Sequence, residues 1–93
     1  MSIMNGDLRD FIQAAKRWIE QGDLLVLQES LKDLDSDVDW PTLFHRLYLH
    51  ACLKKQVAIA EWMEKTVFPT LCPVQQIALR QIFPYGRHLL RKK

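Results

Sequence analysis

The chain has 93 residues, of which 48% are hydrophobic and 26% are charged, and its formal net charge is +2. This composition excludes an intrinsically disordered chain, and the length excludes more than one compact domain. No apolar run approaches the roughly 20 residues that a membrane span requires. We therefore expect a single domain over residues 1–93, frayed at residues 1–6. Two cysteines and no visible secretory signal favour a cytoplasmic location.

The charges are unevenly distributed along the chain. Residues 1–40 carry nine acidic and four basic side chains, a net charge of −5, whereas residues 41–93 carry two acidic and nine basic side chains, a net charge of +7. This polarity is compatible with intramolecular balance, with head-to-tail association, or with an acidic partner for the C-terminal half.

Two amphipathic helices are predicted before the acidic segment. Apolar residues recur at helical spacing between positions 8 and 19, and Gly22 is placed to end this first helix in a left-handed conformation. Asp23 follows as the cap of a second helix. The apolar face of that helix comprises Leu24, Leu27, Leu31 and Leu34.

The segment 33–39 carries Asp at alternate positions, which invites comparison with a calcium-binding loop. An EF-hand loop requires Gly at its sixth position and a bidentate Glu at its twelfth. Counted from Asp33, those positions hold Val38 and Phe44. We interpret the segment as a solvated acidic loop that caps the next helix, and we predict no metal and no cofactor.

The most apolar part of the chain is the segment 41–65. Trp40 and Pro41 start a third helix, because Pro fits the first helical position. This helix is apolar on nearly all sides, which predicts a buried, central position. A tight turn at residues 54–56 leads to a fourth helix that we expect to stop at Phe68 and Pro69.

The remaining chain predicts a fifth helix and a short basic one. Cys72 and Pro73 repeat the start signal, and Pro84-Tyr85-Gly86 predicts a break before a basic helix over residues 87–93. The apolar stripe of the fifth helix comprises Val74, Ile77, Ala78 and Ile82. The predicted fold is all-α, with about five to six helices stacked as helical hairpins.

The turns predicted at Gly22, Lys54 and Gly86 are 32 residues apart, close to the periods of tetratricopeptide and ankyrin repeats. The segment 49–63, LHACLKKQVAIAEWM, resembles the inner and outer helices of an ankyrin repeat, with Lys55 where Gly is typical. The run 59–63, IAEWM, resembles small tetratricopeptide-like chaperones of type III secretion needle subunits. That resemblance implies a groove that holds an amphipathic helix, usually together with a small co-chaperone.

No enzyme signature is present. The three Gly residues are isolated, which excludes a Gly-rich phosphate loop, and no Ser stands in a nucleophile elbow. His45 and His50 are five residues apart, about 140° around a helix, so they do not form a pair that binds one metal. We predict a protein that is not an enzyme.

We predict a non-catalytic adaptor or chaperone that holds a partner helix or peptide in an apolar groove. Three Trp, four Phe and two Tyr are more aromatic residues than a chain this short is expected to bury. The partner is another protein or a second copy of the chain. The candidate contact residues are Trp18, Tyr48, Trp62, Met63 and Phe68, with Arg80 and Arg87 at the rim.

The alternative is a small nucleic-acid-binding or regulatory protein that uses its basic C-terminal segment. Residues 80–93 include five Arg or Lys side chains and one His, with Phe83 and Tyr85 among them. Such a segment can follow phosphates, and binding would then weaken steeply with salt.

Overall fold

Helix α3 (Trp40–Leu53) lies at the centre of the fold, and four of the other helices contact it. The structure, a computed structural model, describes residues 5–34 and 38–91. Within these residues the chain forms six α-helices and no strand, which confirms the predicted all-α class. The other helices are α1 (Asn5–Gln21), α2 (Leu24–Lys32), α4 (Val57–Trp62), α5 (Pro73–Leu79) and α6 (Ile82–Arg91).

The turn between α1 and α2 has the predicted geometry. Gly22 adopts a left-handed conformation with φ +73°, and the backbone N–H of Asp23 donates to the Trp18 carbonyl at 2.8 Å. The Asp23 carboxylate then accepts from the Val26 backbone N–H at 3.4 Å, which caps α2. Both predictions made for this turn are confirmed.

The turn between α3 and α4 repeats this hydrogen-bond pattern with Lys55 in the left-handed position, at φ 62°. The Lys55 backbone N–H donates to the Cys52 carbonyl at 3.1 Å, and that of Gln56 donates to the Ala51 carbonyl at 2.9 Å. These bonds satisfy carbonyls that a helix end otherwise leaves without partners. The turn predicted at residues 54–56 is therefore present.

Helices α1 and α3 lie side by side and run in the same direction. Near their carboxyl ends, the Glu20 carboxylate of α1 lies 3.0 Å from Nε2 of His50 on α3. Near their amino ends, Ile12 of α1 and Thr42 of α3 line the same recess. Helix α2, which follows a tight turn, returns along α1.

Helix α6 lies on the other side of α3 and is parallel to it. Phe83, at the start of α6, packs edge-on against Phe44, with ring centroids 6.1 Å apart. At the far end, Lys55 donates its ammonium group to the Leu89 carbonyl of α6. Three parallel helices, in the spatial order α1, α3, α6, therefore form one side of the molecule.

The core is built around one face of α3. Six residues of this helix are buried. Among the described residues, no polar or charged residue is buried. Four rings, the aromatic cluster, meet at its α6 side, with centroid separations between 4.8 and 6.1 Å. The aromatic cluster comprises Phe44, Tyr48, Phe68 and Phe83.

The fourth helical segment extends further than predicted. After Trp62 the chain widens into a π-helical turn (Met63–Val67) and continues as a 3-10 turn (Phe68–Thr70). The α- and π-helical turns end at Val67, as predicted from Phe68 and Pro69, but the chain continues in a 3-10 turn. Phe68 is helical, with φ −56° and ψ −45°, and Pro69 fits the first turn of a new helical type because no N–H is needed there.

Of the apolar stripe predicted for the fifth helix, Ile82 is buried in the core but belongs to α6, and the other three residues do not face the core. Val74 is 76% exposed and Ile77 65%, and Ala78 is exposed as well. Helix α5 has only two turns and is anchored instead by Leu79, which is buried, and by Gln76, whose amide donates to the Leu71 carbonyl at 2.8 Å. Polar anchoring and one apolar contact thus replace the predicted stripe.

The break predicted at Pro84-Tyr85-Gly86 is also wrong, because α6 runs through all three residues. Pro84 is the third residue of α6, where its missing N–H breaks no helical hydrogen bond. Gly86 is buried and faces α3. The chain instead turns at residues 80–81, so Gly86 does not continue the turn series of Gly22.

Asp39 caps α3, as predicted for the end of the acidic segment. Its carboxylate accepts from the Thr42 backbone N–H at 3.3 Å and from the Thr42 hydroxyl at 2.7 Å. Three parts of the predictions lie outside the described residues: positions 35–37 of that segment, positions 1–4 of the segment predicted to be frayed, and positions 92–93 of the predicted basic helix. Asn5 and Gly6 lie in α1, so the fraying predicted for these two residues is wrong. No helix within the described part is both long and apolar enough to cross a membrane.

Candidate functional site

A groove of about 590 Å³, here called the central groove, runs along α3 between α1 and α6. Its floor is the face of α3 opposite to the core, its first wall is α1 and its second wall is α6. The lining residues are Lys16, Thr42, His45, Arg46, Leu49, His50, Leu53, Tyr85 and Leu89. The groove exists because three parallel helices leave a depression above the middle one.

Apolar side chains of α3 and α6 line part of the central groove. Leu53 on α3 and Tyr85 on α6 are each 57% exposed, although both are large hydrophobic side chains. Leu49 and Leu89 lie between them and are half-buried against the core. Exposed apolar groups that gather in a concave surface are typical of sites that bind a partner.

Basic side chains also line the central groove. Lys16, His45 and Arg46 line it, and no Asp or Glu belongs to the lining. His50 also lines the groove, and its Nε2 atom lies 3.0 Å from Oε1 of Glu20. Lys54 Nζ lies 3.8 Å from the same carboxylate oxygen. The groove therefore combines apolar side chains of α3 and α6 with basic side chains of α1 and α3.

Two of the predicted contact residues, Tyr48 and Met63, are buried, with exposed fractions of 0% and 1%. They belong to the core and are not accessible to a partner in this structure. The Tyr48 hydroxyl donates to the Glu64 carboxylate at 3.4 Å. Burial, reinforced by Cys52 and Glu64, raises the pKa of Tyr48 well above its usual range. Burial likewise raises the pKa of the Cys52 thiol.

The predicted contacts Trp18, Trp62 and Phe68 are half-buried and pack against the core. Trp18 makes an edge-on contact with Phe11, with ring centroids 6.0 Å apart. Phe68 belongs to the aromatic cluster and lies 4.8 Å from Phe83, centroid to centroid. None of the three lines the central groove.

The predicted rim residues Arg80 and Arg87 are exposed but do not border the central groove. Arg87 forms an ion pair with Glu64, whose side chain is 27% exposed. Arg80 follows α5 at the turn toward α6. The structure therefore brings together none of the seven predicted site residues in one concave surface.

Sequence reasoning missed the residues that line the groove. The signal was present in α3, where positions 42, 45, 46, 49 and 53 recur at the spacing of one helical face. Leu49 and Leu53 make the helix apolar on nearly all sides, and this pattern predicts that both leucines are buried. The mixture of leucine with His45 and Arg46 on this face was the available indication of a partly solvated groove.

A metal centre is not assembled by the described residues. No three His, Cys, Asp or Glu side chains in the ranges 5–34 and 38–91 lie close enough together to hold a metal ion. His45 and His50 both border the central groove, and the only carboxylate that is a hydrogen-bond partner of either imidazole among the described residues is that of Glu20, beside His50. Their position suits contact with a bound partner.

Comparison of the chain with protein-family models, with curated proteins and with solved structures finds no match. The resemblances to ankyrin and tetratricopeptide repeats and to needle-subunit chaperones therefore stay predictions. The function has to be argued from the chemistry of the central groove.

Proposed function

We propose that the protein is a non-catalytic binding module that holds an amphipathic helix of another protein in the central groove. The observation that carries this proposal is the pair of half-exposed side chains, Leu53 and Tyr85, in a depression between parallel helices. A partner helix that covers them removes apolar surface from water, at about 25 cal/mol per Å² of area buried. This transfer provides a driving force for binding.

The dimensions of the groove favour a helix as the occupant. Its floor extends along α3 from Thr42 to Leu53, which corresponds to about 16 Å at the rise of an α-helix. About three helical turns of a partner cover this length. An amphipathic helix presents apolar side chains at i, i+3, i+4 and i+7 along such a span, and this pattern matches recognition by helix docking into a groove.

The composition of the lining supports binding rather than catalysis. It contains no Ser, Cys, Asp or Glu, and the hydroxyl of its single Thr, Thr42, is engaged by the Asp39 carboxylate. Leu, Tyr and cationic side chains provide contact area and orientation. These are the properties that an adaptor or chaperone requires.

The test is selection from a displayed library of helical peptides in which the apolar face is fixed and all other positions vary. Wild-type protein and the variant Leu53→Glu/Tyr85→Glu are compared, because both side chains are exposed enough to accept a charge without unfolding. We expect the selected peptides to bind wild type and to lose at least about tenfold in affinity with the variant.

The matched control is Val74→Glu/Ile77→Glu, which places the same charges on the exposed face of α5, outside the groove. Peptides that lose affinity with this control but not with the groove variant would overturn the proposal. Self-association is measured in parallel by sedimentation. A dimer that only the groove variant disrupts would assign the groove to a second copy and overturn the assignment to another protein.

A further inference from the structure

A second recess continues the central groove toward the amino ends of α1 and α3. It encloses about 300 Å³ and shares Lys16, Thr42 and Arg46 with the central groove, so the two are adjacent. We call it the basic recess. Its other lining residues are Leu8, Arg9, Ile12, Gln13 and Asp39.

The basic recess contains three cationic side chains, Arg9, Lys16 and Arg46, and one carboxylate, Asp39. That carboxylate is engaged at the start of α3, where it accepts two hydrogen bonds from Thr42. None of the ion pairs among the described residues involves any of the three cations. Among the described residues, the lining of the recess therefore carries three cationic side chains against one carboxylate, a net positive charge.

We propose that the partner helix carries a cluster of carboxylates at one end, which the basic recess binds, while its apolar face covers the central groove. This inference rests on the proposed function of the groove. Complementary charge at the edge of an apolar site speeds association and selects among partners. The same cations disfavour a basic helix, which would bring like charges together in a partly enclosed space.

The spacing of the two ends specifies the partner further. Arg46 and Leu53 are seven residues apart on α3, about 10 Å along the helix axis. A partner helix aligned with the groove thus carries its acidic residues about two turns from the apolar residues that contact Leu53. The expected partner has an acidic block and a leucine-rich block on one helical face.

The experiment sequences the peptides selected from the displayed library and compares their charged residues between two targets. The targets are the wild-type protein and the charge-reversal variant Arg9→Glu/Arg46→Glu. Both arginines are exposed. We expect wild type to select Asp and Glu at one end of the helix and to bind these peptides about tenfold more tightly than their Gln versions. The charge-reversal variant should instead select Lys and Arg at that end. The control Arg17→Glu/Lys65→Glu changes net charge equally at exposed positions outside the recess and should retain the wild-type preference.

The outcomes separate this inference from the proposed function. Peptides that depend on Leu53 and Tyr85 but show no charge preference overturn the inference and leave the groove as a helix-binding site. The absence of any groove-dependent peptide overturns both. A single-stranded oligonucleotide that binds wild type and is displaced by salt, with binding lost in Arg9→Glu/Arg46→Glu, would assign the cations to nucleic acid and also overturn the inference.

Discussion

Gly86 of α6 lies so close to Tyr48 of α3 that a Cβ atom at position 86 would fall 2.6 Å from Cε1 of the tyrosine ring. The same Cβ would lie 2.9 Å from Sγ of Cys52. Tyr48 is fully buried in the aromatic cluster, so its ring has no free space into which it can retreat. The absence of a side chain at Gly86 therefore allows α6 to pack directly on α3, and this contact forms one wall of the central groove.

We expect Gly86→Ala to destabilise the protein, although alanine is the better helix former by about 1 kcal/mol. Forcing a methyl group into this contact costs about 1–3 kcal/mol through displacement of buried side chains, which outweighs the gain in helix propensity. Chemical denaturation measures the change in the free energy of unfolding. Ala58 is exposed on α4, so the variant Ala58→Gly measures the difference in helix propensity between alanine and glycine without a change in core packing. A Gly86→Ala protein as stable as wild type would show that α6 can move away from α3 at little cost.

Gly22→Ala should reduce stability by about 1 kcal/mol because of the backbone alone. The nearest atoms to a Cβ at this position belong to the Gln56 side chain, at an ordinary contact distance of 3.5 Å, so there is room for a methyl group. The positive φ of 73° is what disfavours alanine. Gly22→Asn should cost less, since asparagine tolerates the left-handed conformation better. Equal losses for the two variants, measured by thermal and urea unfolding, would contradict this explanation.

Phe83 and Tyr85 are two residues apart on α6, but their replacement by alanine should have different effects on stability and on peptide binding. Phe83 contacts three other rings of the aromatic cluster, and Phe83→Ala should reduce the free energy of unfolding by about 3–5 kcal/mol. Tyr85 is 57% exposed in the groove, so Tyr85→Ala should leave stability within about 0.5 kcal/mol of wild type and weaken peptide binding. Denaturation and peptide titration of both variants test the distinction. A large loss of stability in Tyr85→Ala would place that ring in the core.

Stability should fall at alkaline pH because the Tyr48 phenol and the Cys52 thiol both have raised pKa values in the folded state. Above pH 9.0 for the thiol and 10.0 for the phenol, the unfolded chain loses a proton that the folded chain retains. The free energy of unfolding then decreases with pH, by at most about 1.4 kcal/mol per pH unit for each proton, whereas it is unaffected below that range. Tyr48→Phe/Cys52→Ala should flatten this decrease, and Tyr85→Phe should not. A slope that is unchanged in the double variant would refute the assignment.

The two cysteines should differ in reactivity toward a thiol reagent such as 5,5′-dithiobis(2-nitrobenzoic acid). Cys72 is exposed and should react quickly, whereas Cys52 is buried and should react only after the core opens, at a rate lower by more than about 100-fold. Under native conditions Cys72→Ser should therefore show almost no reaction. In denaturant the same variant should release one equivalent of the chromophore. Rapid native reaction of Cys72→Ser would indicate that α6 opens readily from α3.

The sequence by itself determined the local structure at the helix ends. Gly22, Asp23, Asp39 and Pro41 act through their own backbone preferences or through hydrogen bonds to residues within three positions, so their effects do not depend on distant packing. The periodic leucines of α2 were interpreted correctly for a related reason, since Leu27 and Leu31 are buried as their spacing indicates. The all-α class follows from these local signals together.

Tertiary structure alone decided which apolar faces are covered and therefore where the site lies. Val74 and Ile77 have the spacing of a buried stripe, yet both side chains are exposed. Leu53 was predicted to be buried but faces the central groove, and Tyr48, a predicted partner contact, lies in the core. Proline and glycine in α6 predicted a break, whereas the contact of Gly86 with Tyr48 requires that helix to continue. Periodicity identifies an apolar face, but only the arrangement of the neighbouring helices determines whether protein, solvent or a partner covers it.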